Sequence, residues 1–175
     1  PKPSPEEQLS FLQRIQRLLT EGDFTATYKF ALLISLSDLA VERWREGDPD
    51  PCFSFTELGR KFIELYWNHV TPYTARGQSG RSMVLVQNRG VQAAIVKSIT
   101  SFRSASPEAT LATAASYKAY AKLLASVSGT VARQPVTFIQ NLGGVEERFL
   151  FDLAPGGVAL RRGVAIPAHP LALDA

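Results

Sequence analysis

Apolar residues recur at helical spacing through the first two thirds of the chain, which indicates a mainly helical region. The segment Tyr28–Trp44 is apolar around most of its circumference, with one polar stripe at Ser35, Asp38, Glu42 and Arg45. A helix of this kind packs against neighbours on several sides, so we expect it at the centre of the domain. It is too short for a membrane span, which needs about 20 apolar residues.

Capping signals and helix breakers set the bounds of the other helices. Ser4–Glu7 and Ser54–Glu57 are capping boxes, and Asn88 and Ser106 are placed as further helix starts. Pro72 disfavours helix at the preceding residue and ends the third helix near Val70. The five predicted helices run approximately over 5–22, 27–46, 55–70, 89–102 and 107–127.

After Pro135 the pattern changes to short apolar runs separated by glycine turns. These runs, Val136–Ile139, Arg148–Phe151 and Val158–Leu160, predict an antiparallel meander. The expected fold is therefore α+β and mainly helical, with about five helices around a central apolar helix and a small C-terminal β-meander. We expect a single domain over 1–165, helical over 4–130 and β over 135–165, followed by a tail or linker over 166–175.

Charge is distributed unevenly along the chain. Of 175 residues, 45% are hydrophobic and 20% charged, as in globular proteins, and the net charge is +3. The segment Thr71–Pro135 holds eight Lys or Arg residues and the single acid Glu108, which gives about +7. One basic flank produces a directed field, for which a phosphate backbone is the expected partner.

Catalytic chemistry has little support in these residues. Cys52 is the only cysteine, and the two histidines, His69 and His169, are a hundred positions apart. No metal-ligand spacing, nucleophile motif or phosphate-binding loop motif is present. We therefore expect no catalytic residue, metal or other cofactor within this chain.

The turn Gln87–Gly90 precedes a predicted helix start, where unpaired backbone N–H groups favour an anion. Basic residues surround it, which indicates phosphate binding. The alternative is an ordinary capped helix with solvated charges, and Lys29 in particular either extends to solvent or reaches a phosphate. The candidate phosphate-binding residues are Arg76, Arg81, Arg89, Gly90, Lys97 and Lys29.

A second group of residues, at the end of the third helix, could contact a base. The rings of Trp67, His69 and Tyr73 could stack on an extruded or modified base, and Gln87 and Asn88 could read a base edge. The alternative is that the aromatic residues at this helix end pack into the core.

Three stretches carry a resemblance to a known family: Phe24–Leu33, Tyr66-Trp67 with Pro72-Tyr73, and Val86–Ile95. Over about residues 10–165 the chain resembles the N-terminal region of bacterial HNH endonuclease-domain proteins, in which a helical module precedes a C-terminal nuclease. The segment Thr27-Tyr28-Lys29 also resembles the sulfur-binding domains that read phosphorothioate DNA in modification-dependent restriction enzymes.

These resemblances imply a cytoplasmic bacterial protein of restriction-modification and phage defence. Its partner would be double-stranded DNA, plain or modified, with no membrane contact. A homodimer is a further expectation. Tyr28 would join the pocket for the base or modification. The first residue is Pro1 rather than Met. We therefore expect a piece of a longer protein, with a divalent metal in a nuclease domain that these residues do not include.

The expected function is that of a DNA-recognition module of an HNH-type, modification-dependent restriction endonuclease. The competing expectation is a protein-interaction or oligomerisation module of an anti-phage protein, in which the same aromatic residues form the interface.

Overall fold

Helices make up most of the described chain, and small antiparallel sheets complete it. The computed structural model describes residues 4–21, 27–43, 50–71, 73–74, 82–83 and 92–161. The helices are α1 (Pro5–Glu21), α2 (Tyr28–Arg43), α3 (Phe55–Tyr66), α4 (Ala94–Ala105), α5 (Tyr120–Arg133) and the short α6 (Pro135–Phe138), with 3-10 turns at Trp67–Val70 and Ala114–Ser116. The strands are β1 (Cys52–Ser54), β2 (Tyr73–Thr74), β3 (Ser82–Met83), β4 (Asn141–Leu142), β5 (Val145–Glu146), β6 (Phe151–Ala154) and β7 (Gly157–Leu160). The prediction of a mainly helical α+β fold is confirmed.

The centre of the fold is α3. It packs against α2, α4 and α5 and against β1 and β7, with Phe62 and Ile63 fully buried. The sequence predicts α2 in this place, and that detail is wrong. One face of α2 is buried, but Ile34 and Val41 on the opposite face are 46% and 67% exposed. Because α2 has apolar residues on both faces, its sequence pattern resembles that of a central helix although α2 is peripheral.

Both predicted capping boxes are confirmed. The Ser54 hydroxyl accepts the backbone N–H of Glu57 at 3.2 Å, and the Glu57 carboxylate accepts the backbone N–H of Ser54 at 2.8 Å. Ser4 and Glu7 make the same reciprocal pair, at 3.2 and 2.7 Å. These bonds satisfy N–H groups that the helix starts would otherwise leave unpaired.

The fifth helix was predicted over 107–127, and the structure places it later, at Tyr120–Arg133. Turns and a 3-10 turn fill the preceding segment. There the Thr110 and Thr113 hydroxyls each accept a backbone N–H from the other residue, and the Ser116 hydroxyl donates to the Thr113 carbonyl. Such local side-chain bonds compete with a regular helix and delay its start.

The β region also differs from the predicted meander. Val136–Phe138 is helical, because Pro135 occupies the first position of α6 with its φ angle already fixed for a helix. The main sheet has the order β1-β7-β6, antiparallel throughout, with Cys52 opposite Ala159 and Phe151 opposite Leu160. Since β1 lies between α2 and α3 in the chain, the sheet is not confined to 135–165.

The buried side-chain amide of Gln140 hydrogen-bonds to the backbone at the start of β6. The Gln140 Oε1 accepts the backbone N–H groups of Phe149, Leu150 and Phe151 at 3.0, 2.9 and 3.3 Å. Its Nε2 donates to the Phe151 carbonyl at 3.1 Å. A single side chain thus satisfies four buried backbone groups and connects the end of α6 to β6.

The packing of α3 on α5 is tightest at Gly59. A Cβ at this position would lie 2.2 Å from the Ser128 Oγ and 3.2 Å from the Ser128 Cα on α5. The missing side chain therefore permits a close approach of the two helices. The Ser128 hydroxyl is buried there without a hydrogen-bond partner.

We expect Gly59→Ala to destabilise the protein by about 1–3 kcal/mol, because the added methyl group overpacks the helix crossing. Gly129→Ala is the matched control, since a Cβ there meets only the flexible end of Arg133, at 3.2 Å. Gly129→Ala should stabilise the protein by roughly 0.5–1 kcal/mol, because alanine favours the helix more than glycine does.

Urea unfolding measures the free energy of unfolding of both variants. Ser128→Ala should recover part of the Gly59→Ala loss, and equal losses at Gly59 and Gly129 would contradict a tight crossing.

Candidate nucleic-acid interface

The helices α4 and α5 carry basic residues and no acidic residue. Lys97 and Arg103 lie on α4, and Lys122 and Arg133 lie on α5. A pair of adjacent helices with one sign of charge creates a positive local potential that acidic side chains of the same helices do not cancel.

Two contacts establish that α4 and α5 are antiparallel neighbours. Phe102 near the end of α4 meets Tyr120 at the start of α5, with ring centroids 6.2 Å apart. One turn earlier on α4, the Ser98 hydroxyl lies 3.0 Å from the hydroxyl of Ser126, which is further along α5. Arg133, at the end of α5, is therefore level with the start of α4.

The exposed side chains beside this seam form one surface. Lys122, Ser126 and Arg133 are spaced by four and seven residues on α5, which places them on one helical stripe. Lys97 and Ser101 lie on the outward side of α4. We call the surface of these five residues, all exposed, the α4–α5 outer face.

The cations of the outer face have no acidic partner among the described residues. Among the residues that the structure describes, the ion pairs are Arg17–Glu147, Arg43–Glu57, Lys61 with Glu42 and Glu64, Arg148–Glu146 and Arg161–Asp152. None includes Lys97, Lys122 or Arg133. These three charges therefore remain available to an external anion.

Arg103 belongs to the basic segment but is directed inward. Its guanidinium carbon lies 5.4 Å from the Trp67 ring centroid, and its Nη1 donates to the Trp67 carbonyl and the Thr71 hydroxyl, each at 3.2 Å. Arg103 thus fixes the 3-10 turn after α3 against α4. The basic groups of this segment do not all lie on one face.

Two of the residues predicted to contact a base are core residues. Tyr28 and Trp67 are each 5% exposed. The Tyr28 hydroxyl accepts the backbone N–H of Ile95 at 2.9 Å, and the Trp67 ring lies 6.0 Å from the Phe102 ring. Tyr28 therefore pairs with a backbone N–H group in the first turn of α4.

His69 is half-buried in the 3-10 turn, edge-on to the Tyr66 ring at 5.2 Å. Its Nδ1 is buried and has no hydrogen-bond partner in the described part of the chain. The backbone of Tyr73 pairs with Met83 in the β2–β3 hairpin. Lys29 is half-buried on α2, and Lys97 is exposed on α4.

The remaining predicted site residues lie outside the described residues. They are Arg76, Arg81, Gln87, Asn88, Arg89 and Gly90. The fourth helix was predicted to begin after Asn88, and the described helix begins at Ala94.

We also searched the described residues for a metal site and for a membrane-spanning helix. Within them, no group of three His, Cys, Asp or Glu residues could hold a metal ion. No helix among those described is long and apolar enough to span a membrane.

Comparison with known proteins gives one finding. A family described as Domain of unknown function (DUF8808) matches residues 8–167. The chain belongs to the DUF8808 family. No curated protein and no solved structure matches it. The function of this DUF8808 chain therefore has to be argued from its own residues.

Sequence reasoning missed Lys122, Ser126 and Arg133 as site residues. The sequence feature that could have identified them is the absence of acidic residues from 120–133, together with basic residues on one helical stripe. The predicted helix ended near Val127, which removed Arg133 from that stripe. Correct bounds for α5 would have joined the three residues.

We expect the free energy of unfolding to fall as the pH rises above about 10. Burial raises the pKa of Tyr66 from 10.0 to about 12, against the opposing effect of its hydrogen bond with Thr27. The folded state holds this proton more tightly, so the contribution is complete below the unfolded pKa and is lost as the pH approaches 12. Burial raises the pKa of Tyr28 in the same direction.

Urea unfolding across alkaline pH measures this dependence, and Tyr66→Phe should make the decline shallower. A decline of the same steepness in the Tyr66→Phe protein would assign it to other groups.

Proposed function

We propose that this DUF8808 chain is a DNA-recognition module that binds backbone phosphates through the α4–α5 outer face. The observation that carries the proposal is the group of cations Lys97, Lys122 and Arg133 on two adjacent helices without acids, for which the described part of the chain supplies no carboxylate partner. Lysine, arginine and hydroxyl groups are the side chains that contact phosphate oxygens most often.

The size of the face fits a nucleic-acid backbone. The backbone positions of Lys122 and Arg133 are 11 residues apart in α5, or about 16 Å along the helix axis at ~1.5 Å per residue. A DNA duplex carries one negative charge per ~1.7 Å of its axis. A duplex lying along α5 therefore presents several phosphates to the three cations at once.

In this proposal the chain positions a nuclease carried elsewhere in its parent protein, an HNH-type restriction endonuclease of the bacterial cytoplasm. The family resemblance of the three quoted segments supports that context. Recognition of a modified nucleotide is assigned to His69, Tyr73, Gln87 and Asn88. It is not assigned to Tyr28 and Trp67, because their rings contact the core.

A second candidate function is protein interaction or oligomerisation. The observation that favours it is the outward face of α2, where Ile34 and Val41 are exposed. Exposed apolar groups on one helix face are a feature of protein interfaces. Binding through such a face would respond little to salt, unlike binding to phosphates.

We expect the triple variant Lys97→Ala/Lys122→Ala/Arg133→Ala to bind a short DNA duplex much more weakly than the unchanged protein does at low salt. Each phosphate contact contributes about 0.9 to the slope of log K against log salt concentration, so the slope should fall by up to about 2.7. Fluorescence anisotropy at several salt concentrations measures both quantities.

The matched control is Arg14→Ala/Arg148→Ala/Arg161→Ala, which removes the same charge from exposed positions on α1 and near the β-sheet. Its duplex affinity should stay close to that of the unchanged protein. Equal losses in the two triple variants would reduce the effect to net charge and contradict the assigned face. Absence of salt-dependent binding in the unchanged protein would contradict the function.

A further inference from the structure

The guanidinium of Arg133 lies beside Gly129 on α5, in the space that a side chain at residue 129 would fill. The Nη1, Nη2 and Cζ atoms of its guanidinium lie 3.2, 3.7 and 3.8 Å from the position that a Cβ on Gly129 would take. Three atoms of a planar group at such similar distances show that the guanidinium folds back along the helix surface. It therefore covers the surface of α5 at Gly129, one turn before its own backbone position.

A pair of hydroxyl groups lies at the α4–α5 seam, about one helical turn before Gly129. Ser126 is three residues before Gly129, and residues at that spacing are neighbours on a helix, with ~5–6 Å between their Cβ atoms. The Ser126 and Ser98 hydroxyls bond to each other at 3.0 Å across the seam. Two hydroxyls contain two O–H groups and this bond uses one of them, so one donor is left for another acceptor.

We infer that Arg133, Ser98 and Ser126 form a binding site for one phosphate group at the α4–α5 seam, with Gly129 as the residue that makes room for the guanidinium. This inference rests on the proposed function and names the place where a backbone phosphate is held most specifically. Lys122, one turn before Ser126, supplies charge beside the site.

The chemistry of the site suits a phosphate. A guanidinium presents a fork of N–H donors that matches two phosphate oxygens, and a spare hydroxyl donates to a third. Arg133 has no carboxylate partner in the described chain, so no internal acceptor competes for the fork.

Gly129→Leu separates this site from general effects of charge and stability. A leucine would fill the space that the guanidinium occupies, and it also favours the helix. We expect the thermal midpoint to stay the same or rise, while duplex affinity falls by about tenfold. The matched control is Ala121→Leu, which adds bulk at an exposed position on another side of α5 and should leave affinity unchanged.

Two further variants test the donors. Arg133→Lys keeps the charge but loses the planar fork, so affinity should fall several-fold while the salt slope stays the same. Ser126→Ala should also lower affinity several-fold. The probe for all variants is one labelled DNA duplex of arbitrary sequence, with inorganic phosphate as the competitor.

The possible results distinguish this inference from the proposed function. If the triple cation variant loses binding but Gly129→Leu and Arg133→Lys bind as the unchanged protein does, the specific phosphate site is wrong. The proposed binding through the α4–α5 outer face would still stand. If the unchanged protein binds no duplex, the proposed function fails. Loss of affinity in Gly129→Leu with a retained thermal midpoint, and none in Ala121→Leu, would support the site.

Discussion

The close approach of α3 and α5 at Gly59 is the constraint on which the rest of the fold depends. α3 contacts α2, α4, α5, β1 and β7, and the missing side chain at Gly59 lets the Ser128 region of α5 pack directly on it. α4 then packs against both helices, with Tyr28 capping its first turn and Arg103 fixing it to the turn after α3. The seam between α4 and α5, and thus the spacing of its cations, follows from this packing.

The arrangement of charge divides the described chain into two parts. Near α1, α3 and the sheet, cations such as Arg43, Lys61 and Arg161 are paired with carboxylates. Such exposed pairs contribute little to stability, but they neutralise the surface locally. The outer face of α4–α5 lacks that neutralisation. Its like charges repel one another weakly, and an external anion would remove the repulsion as it binds.

The fold was predictable from sequence where the decisive interactions are local. Ser54 and Glu57 cap α3 as a four-residue pattern indicates, and the helical class follows from apolar periodicity. Two errors came from interactions between distant segments or from competing local bonds. β1 is a strand because β7 pairs with it, and α5 starts late because the Thr110 and Thr113 hydroxyls each bond the backbone N–H of the other residue. For the site, the sequence indicated the basic segment and Lys97, whereas grouping Lys97 with Lys122 and Arg133 required the antiparallel seam.

The central claim is that a nucleic-acid backbone lies along the α4–α5 outer face. The most direct measurement is a backbone NMR titration of the protein with a short DNA duplex. Binding at this face predicts that the amide signals of Lys97, Ser101, Lys122, Ser126 and Arg133 shift together and saturate at one concentration, and that the shifts diminish with added salt. Shifts confined to the outward face of α2 or to the β6–β7 hairpin, with the signals of α4 and α5 unchanged, would contradict it.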